Sequence, residues 1–259
     1  MINWRGAWGT PPINLERKTM KKKVFIGITA YDGKISILGM MSILNNVKTL
    51  EKNGIDVTVN AQMGDCYLDM TRNHVVKSFL ASDATDLIFV DNDLAFDGDA
   101  MLKLMLKPVQ IIGAAYPYRS QDKQGFPIAV HVHENKQFAG NKELGIIDCK
   151  FVPTGLLRIN RKAFDILKAA YPKNIDDKGE LQMFRTGLLF QDEGDNRWFG
   201  EDVYFSEITR RCNIINWCDP TIGCIHIGQL NKAGKLDEYL RAGGTVEMEL
   251  KKFDEAKEA

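Results

Sequence analysis

The stretch Asp86-Leu-Ile-Phe-Val-Asp-Asn-Asp-Leu-Ala-Phe96 decides how the rest of the chain is read. Leu87 to Val90 is a short unbroken apolar run, the pattern of a strand buried on both faces. Asp91 and Asp93 follow it with one residue between them. Ligands of open α/β sheets bind beyond the carboxyl ends of the strands. The two-residue period of a strand predicts that Asp91 and Asp93 point to one side. Two carboxylates that close repel each other and call for a cation. Oxygen ligands of this kind suit Mg²⁺ or Mn²⁺, and Mg²⁺ is commonly held by one or two carboxylates plus substrate phosphates. The expectation is a divalent metal that presents a diphosphate.

Two other readings of the same residues stand beside this one. Acidic residues after a strand also serve as helix caps or turn residues. A helix–loop–helix calcium site needs further alternating ligands and then a glycine, whereas Ala95 and Phe96 follow here. Asp97-Gly-Asp99 before Ala100 reads as the cap and first turn of a helix.

The 259 residues suffice for one large α/β domain or two small ones. Lys plus Arg balances Asp plus Glu at 34 each, so no global charge draws the chain to nucleic acid or anionic membrane. No apolar run reaches the length of a membrane span. Cys66, Cys149, Cys212, Cys218 and Cys224 are odd in number and form no Cys-x-x-Cys pair. Reduced thiols and a cytoplasmic location are therefore expected.

Outward from the central stretch, apolar strands alternate with helical patterns. Val24–Ala30 reads as a strand, and Ser36–Leu50 as a helix with apolar spacing at Ile37, Met40, Met41, Leu44, Val47 and Leu50. Ile55–Asn60 is a strand, and a helix opens at Asp69-Met-Thr-Arg-Asn-His74. A helix over 98–106 and a strand over 109–115 follow. This alternation predicts a Rossmann-like half with a parallel sheet. Further on, a strand over 128–132, a helix over 161–170, a helix from 197 to about 211, and strands over 214–217 and 225–227 are expected. Residues 172–196, rich in Lys, Asp and Gly, read as an exposed hairpin or loop.

The expected organisation has three parts. Residues 1–22 form a flexible basic arm in which Met20 is a candidate start. Residues 23–228 form one domain, with a regular first half over 23–120 and a less regular second half over 121–228. Residues 229–259 form a charged helical tail interrupted at Gly243-Gly244.

The order of these pieces resembles the nucleotide-sugar-dependent glycosyltransferases of the A-type (GT-A) fold. The matching residues are Thr29-Ala-Tyr31, Arg72-Asn73, Val90-Asp-Asn-Asp93, Thr154-Gly155 ahead of Arg161, Gly200-Glu-Asp202 and His226. The resemblance implies a single α/β domain with a mixed, mostly parallel sheet flanked by helices. It assigns the nucleotide to the half over 23–120 and the acceptor to the half over 121–228. It implies bacterial or bacteriophage relatives, an Asp-x-Asp metal motif at Asp91 and Asp93, and a metal shell completed by His226. Thr29, Tyr31, Arg72 and Asp91 fall where members hold the nucleotide. Asp202, beside Glu201, falls on the carboxylate that acts as base in inverting members. The implied cofactors are Mn²⁺ or Mg²⁺ with a nucleoside-diphosphate sugar, UDP preferred. The acceptor does not follow: a glycan, a lipid-linked glycan, a protein or a hydroxymethylated DNA base all remain open. Lys123, Lys136, Lys142 and Lys150 are the residues that would support DNA.

The chemistry suits these residue types. A cation at Asp93 and His226 offsets charge on a leaving diphosphate, and Asp202 takes the acceptor's proton. A helix N-terminus, however, is expected to lower the Asp202 pKa and weaken it as a base. First-turn capping is the plain alternative for Glu201 and Asp202, and a hydrogen-bonded core histidine for His226. Trp198, Phe199 and Tyr204 either stack on a sugar or belong to the core. His131 and His133 lack structural-zinc spacing. Two other functions remain open. One is a sugar-phosphate nucleotidyltransferase, for which Tyr31-Asp-Gly-Lys34 is a poor version of the usual loop; the other is a non-catalytic nucleotide- or sugar-binding module.

Overall fold

The computed structural model describes residues 22–119, 125–135, 137–228 and 231–250. Most of the predicted basic arm therefore lies outside the described residues. Lys22 is within them, and its ammonium group donates to the Met105 carbonyl.

The first half alternates as predicted: β1 (Lys23–Ala30), α1 (Ile37–Lys52), β2 (Asp56–Met63), α2 (Leu68–Ala81), β3 (Asp86–Asp91) and a short β4 (Leu94–Phe96). Then come α3 (Ala100–Leu106), β5 (Ile111–Gly113), β6 (Ala129–Val132), β7 (Gly140–Asn141), β8 (Ile146–Phe151), β9 (Leu156–Asn160) and α4 (Arg161–Ala170). The described residues end with α5 (Glu201–Arg211), β10 (Asn216–Cys218), β11 (Cys224–His226), β12 (Lys232–Gly234), α6 (Leu236–Arg241) and β13 (Glu247–Leu250).

A ten-stranded sheet runs in the order β13-β6-β8-β10-β5-β9-β3-β1-β2, with β7 beside β8. β1 pairs parallel with both β2 and β3. β9 is antiparallel to β3 and β5, and β8 is antiparallel to β6, β7 and β10. All strands of this sheet except β8 and β9 thus run one way. The fold is α/β, a mixed and mostly parallel sheet with helices on both faces.

Alternation along the strands builds those two faces. Val24, Ile26 and Ile28 of β1 join Ile88 and Val90 of β3 under α1 and α3. Phe25, Leu87 and Phe89 point the other way, into a core shared with α2, α4 and α5. A methyl group at Gly27 would run into Val75, which is how closely α2 lies on β1.

Three expectations are corrected. The predicted apolar stripe of α1 is buried only at its C-terminal end, where Leu50 is enclosed and Val47 packs on the core: Gly39, Ile43 and Asn46 also face inward, while Ile37, Met40, Met41 and Leu44 are exposed. The helix is apolar around most of its circumference, so hydrogen bonding chooses the face. Asn46 Nδ2 donates to the Asp97 carbonyl at 2.8 Å, and its Oδ1 accepts from Met101 N at 2.8 Å, locking α1 to the start of α3. A side chain at Gly39 would meet the Leu94 carbonyl at 2.7 Å, so that close approach requires a glycine.

Residues 172–196 form the expected irregular segment, with antiparallel bridges at Ile175–Leu181 and Phe190–Asp195, but it is exposed only in part. Leu181, Met183, Phe184 and Phe190 are buried, and Phe184 stacks on Phe205 with ring centroids 4.5 Å apart. Asn73 holds this segment in place from both sides, donating to the Phe184 carbonyl and accepting from Phe184 N. Polar residues at the turns hid the apolar ones between them.

Between residues 231 and 250 the expected helical tail is only one short helix set between two strands. β12 joins β11, α6 is short, and β13 pairs parallel with β6 at the edge of the main sheet. Gly243 takes φ 89° just past α6.

Candidate active site

The site forms where β1, β3 and β5 end. Thr29 and Asp91 are register partners on neighbouring strands, and Thr29 Oγ1 donates to Asp91 Oδ1 at 2.7 Å. Arg72, only 1% exposed, reaches in from α2. Its Nη2 donates to Asp91 Oδ1 at 3.0 Å and Oδ2 at 3.3 Å, and its Nε donates to Glu201 Oε1 at 3.3 Å. The guanidinium also lies over the Phe89 ring. Burial opposes its charge, but Asp91 and Glu201 outweigh that and raise its pKa. Its Nη1 is buried without a hydrogen-bond partner. A donor left this way fits an anionic or hydroxyl-bearing ligand better than it fits a finished core.

Asp93 lies past the end of β3, so strand alternation does not place it. It makes a second, separate pair. Arg119 Nη1 donates to its Oδ2 at 2.9 Å, and His226 Nε2 lies 3.4 Å from the same oxygen. Burial works against the Asp93 charge, but His226 and Arg119 outweigh it and hold the carboxyl below its usual range. Asp91 and Asp93 still line one hollow of about 260 Å³, together with Thr29, Tyr31, Asp65, Thr71 and Asn92. Tyr31 stands at its rim, 65% exposed.

The small sheet β4-β11-β12 brings His226 to this place. β11 pairs antiparallel with β4, setting His226 opposite Leu94, and Ile227 N donates to the Asp93 carbonyl. His226 Nδ1 lies 2.7 Å from the Pro117 carbonyl. A carbonyl only accepts, so Nδ1 carries a proton; in the imidazolium a second proton on Nε2 faces the Asp93 carboxylate, and its loss leaves the Nε2 lone pair for a cation. Burial lowers the imidazole pKa, but the bonds to Asp93 and Pro117 more than restore it, and the net shift is upward.

Glu201 and Asp202 open α5 behind Gly200. Asp202 Oδ1 accepts from Val203 N at 2.7 Å, the first-turn cap anticipated as the plain alternative. The expected lowering of its pKa by the helix terminus is overturned. Burial and the neighbouring Glu201 charge outweigh the Val203 N–H and Arg72, raising the Asp202 carboxyl to about 6. A carboxyl poised there can exchange protons near neutral pH.

Two site residues escaped the sequence reading. Tyr116 is buried, its hydroxyl accepts from Gly155 N at 3.2 Å, and its ring meets His226 edge-on at 5.1 Å. A Cβ at Gly155 would fall 2.7 Å from that hydroxyl, which accounts for glycine at this position. Arg119 is the second. Both follow β5, so their place beyond a strand's carboxyl end was the available signal.

Other residues singled out from the sequence do not join the cluster. His131 Nδ1 pairs with Asp148 in the core at 3.0 Å. Phe199 and Tyr204 are buried core residues, while Trp198 is 70% exposed. Asp97 binds Gly223 N rather than capping α3. Lys150 pairs with Glu249, and Lys123 and Lys136 lie outside the described residues. A larger hollow of about 530 Å³ between α1 and the small sheet contains none of the predicted site residues.

Among the described residues, no three His, Cys, Asp or Glu side chains gather into a cation cage. Asp93 Oδ2 and His226 Nε2 do suit a divalent cation as neighbouring ligands, with phosphates and water completing the shell. No helix among the described residues is long and apolar enough to cross a membrane.

Neither a protein-family model nor a curated protein matches the sequence. Solved structures of similar shape include protein A197 from STIV, at 15% identity and TM-score 0.45 over 83% of this chain and 91% of that one. A Drosophila β-1,4-galactosyltransferase 7 mutant in complex with manganese, UDP-Gal and xylobiose is similar at 12% identity and TM-score 0.42, over 90% of this chain and 77% of that one. A UDP-glucose pyrophosphorylase complexed with UDP-glucose is similar at 11% identity and TM-score 0.39, covering 86% and 97%. The fold class itself rests on the strand order and directions described above.

Proposed function

We propose that this protein is a metal-dependent glycosyltransferase that moves a sugar from a nucleoside-diphosphate sugar to an acceptor hydroxyl. The observation carrying the reading is the grouping of three devices at one end of the sheet. They are the Thr29–Asp91–Arg72 cluster, the Asp93–His226 pair, and Asp202 with its carboxyl raised to about 6. Tyr31 and Thr29 border the hollow that would take the nucleoside, and Arg72, with its Nη1 unpartnered, would bind on the phosphate or sugar side.

Mn²⁺ or Mg²⁺ held by Asp93 and His226 would supply positive charge to the leaving diphosphate. Asp91 keeps Arg72 and Thr29 in place. Asp202 accepts the proton of the acceptor hydroxyl, and burial, with the Glu201 charge beside it, keeps its pKa high enough to do so. UDP is the preferred nucleotide on the resemblance alone. The acceptor remains a glycan, a lipid-linked glycan, a protein or a hydroxymethylated DNA base. A cytoplasmic setting agrees with the five unpaired thiols. The sugar-phosphate nucleotidyltransferase reading ranks second, because Lys34 in the loop after β1 pairs with Asp32 at 3.3 Å.

Hydrolysis or transfer of a UDP-sugar is expected to require Mn²⁺ or Mg²⁺ and to stop in chelator. Asp93→Ala is expected to lower it at least about 100-fold, given one ligand of two removed. Full turnover in chelator, or by the variant, sinks the metal-dependent reading. In calorimetry UDP is expected to bind more tightly with Mn²⁺ than without it, because the cation bridges protein and diphosphate. Failure of every nucleoside diphosphate to bind removes the donor assignment.

A further inference from the structure

Asp93 Oδ2 faces Arg119 Nη1 at 2.9 Å and His226 Nε2 at 3.4 Å. We propose that Arg119 occupies, at Asp93, the position of the divalent cation, so that metal and guanidinium compete for one carboxylate oxygen and a bound diphosphate settles the competition. The inference rests on the glycosyltransferase reading and specifies how that site is regulated.

The two arginines of the site differ in a way that assigns them different tasks. Arg72 is buried, held by two carboxylates and stacked over Phe89, so it cannot leave without unpacking α2. Arg119 is 60% exposed in its side chain and sits beyond β5, with Asp93 as its ion-pair partner. With most of its side chain in solvent, it can swing away from Asp93. While it is in place, Asp93 is neutralised, and a dication arriving at Oδ2 and Nε2 meets a positive charge within hydrogen-bonding distance of its own ligand.

A diphosphate changes the balance. Asp93 lines the hollow where the nucleotide is placed, so phosphate oxygens bound there lie within reach of a displaced Arg119. A guanidinium pairs with phosphate as well as with carboxylate. Arg119 then moves from Asp93 to the phosphates, and the cation takes the vacated oxygen. Metal and diphosphate therefore strengthen each other's binding, as linkage requires. The free enzyme keeps Asp93 paired with Arg119 and takes metal far more tightly with its donor than without it.

The test measures Mn²⁺ uptake by the full chain from the electron paramagnetic resonance signal of free Mn²⁺, with and without UDP. Wild type is expected to bind Mn²⁺ weakly alone and more tightly with UDP. In Arg119→Ala, Mn²⁺ alone is expected to bind on the order of tenfold more tightly, because a nearby like charge is gone. The enhancement by UDP shrinks in the same variant. Arg119→Lys keeps a charge in reach and is expected to behave as wild type. Equal affinity for Mn²⁺ alone in wild type and Arg119→Ala overturns the competition while leaving the metal-dependent reading intact. No Mn²⁺ uptake by any of the three proteins, even with UDP, overturns both.

Discussion

Asp202→Asn is expected to lower kcat by about 10²–10⁴-fold while UDP affinity in Mn²⁺ stays close to wild type. The amide keeps the shape and still accepts from Val203 N, but cannot take a proton. In wild type the acid limb of the kcat/KM profile is expected near pH 6, because the base works only when ionised. Stability should move the opposite way. The folded carboxyl, raised from 3.8 to about 6, binds protons more readily than the unfolded one. Its ionisation therefore costs stability as pH rises from about 4 to 6, and the full cost is present above that window. Asp202→Asn is thus expected to be more stable than wild type by about 1–3 kcal/mol at pH 8, with the difference vanishing below pH 4. Urea unfolding at the two pH values measures it. A variant that is both inactive and less stable at pH 8 marks Asp202 as a structural cap. Product stereochemistry by NMR completes the test: a base opposite the leaving diphosphate implies inversion, and a product with the donor's anomeric configuration removes Asp202 from that role.

Arg72→Met is expected to destabilise the fold by about 3 kcal/mol, since it strands Asp91 and Glu201 without the cation that pairs them. Both carboxylates keep some contact with solvent, so the loss falls at the lower end for buried pairs. The midpoint of urea unfolding should drop accordingly. Adding Asp91→Asn and Glu201→Gln to Arg72→Met should recover part of the loss, because no charge then remains unpaired. Arg72→Lys is a poor substitute, as one ammonium cannot reproduce the geometry that reaches both acids. UDP binding is expected to fail in all three. Retention of wild-type UDP affinity by a folded Arg72 variant takes this residue out of the nucleotide site.

The elements that local patterning controls were legible from residues alone. The run Leu87–Val90 is a buried strand, Arg161–Ala170 is a helix with the predicted bounds, and β1 through α2 alternate as expected. The ending of β3 at Asp91 located the site, because strand ends and acidic residues are both written in a few consecutive positions. Tertiary structure decided the rest. The α1 helix is apolar on two stripes, and the close approach at Gly39 with the bonds from Asn46 to Asp97 and Met101 chooses between them. Whether the tail was helix or strand depended on β6, whose free edge accepted β13. His226 reaches Asp93 only because β11 pairs with β4, a choice between segments far apart in the chain. The Asp202 pKa illustrates the same limit. Position at a helix start argued for a lower value, but burial by surrounding elements and the Glu201 charge outweighed it. Periodicity and capping act over a few residues, whereas strand pairing, ion pairing and burial are sums over distant parts of the chain that only the folded arrangement fixes.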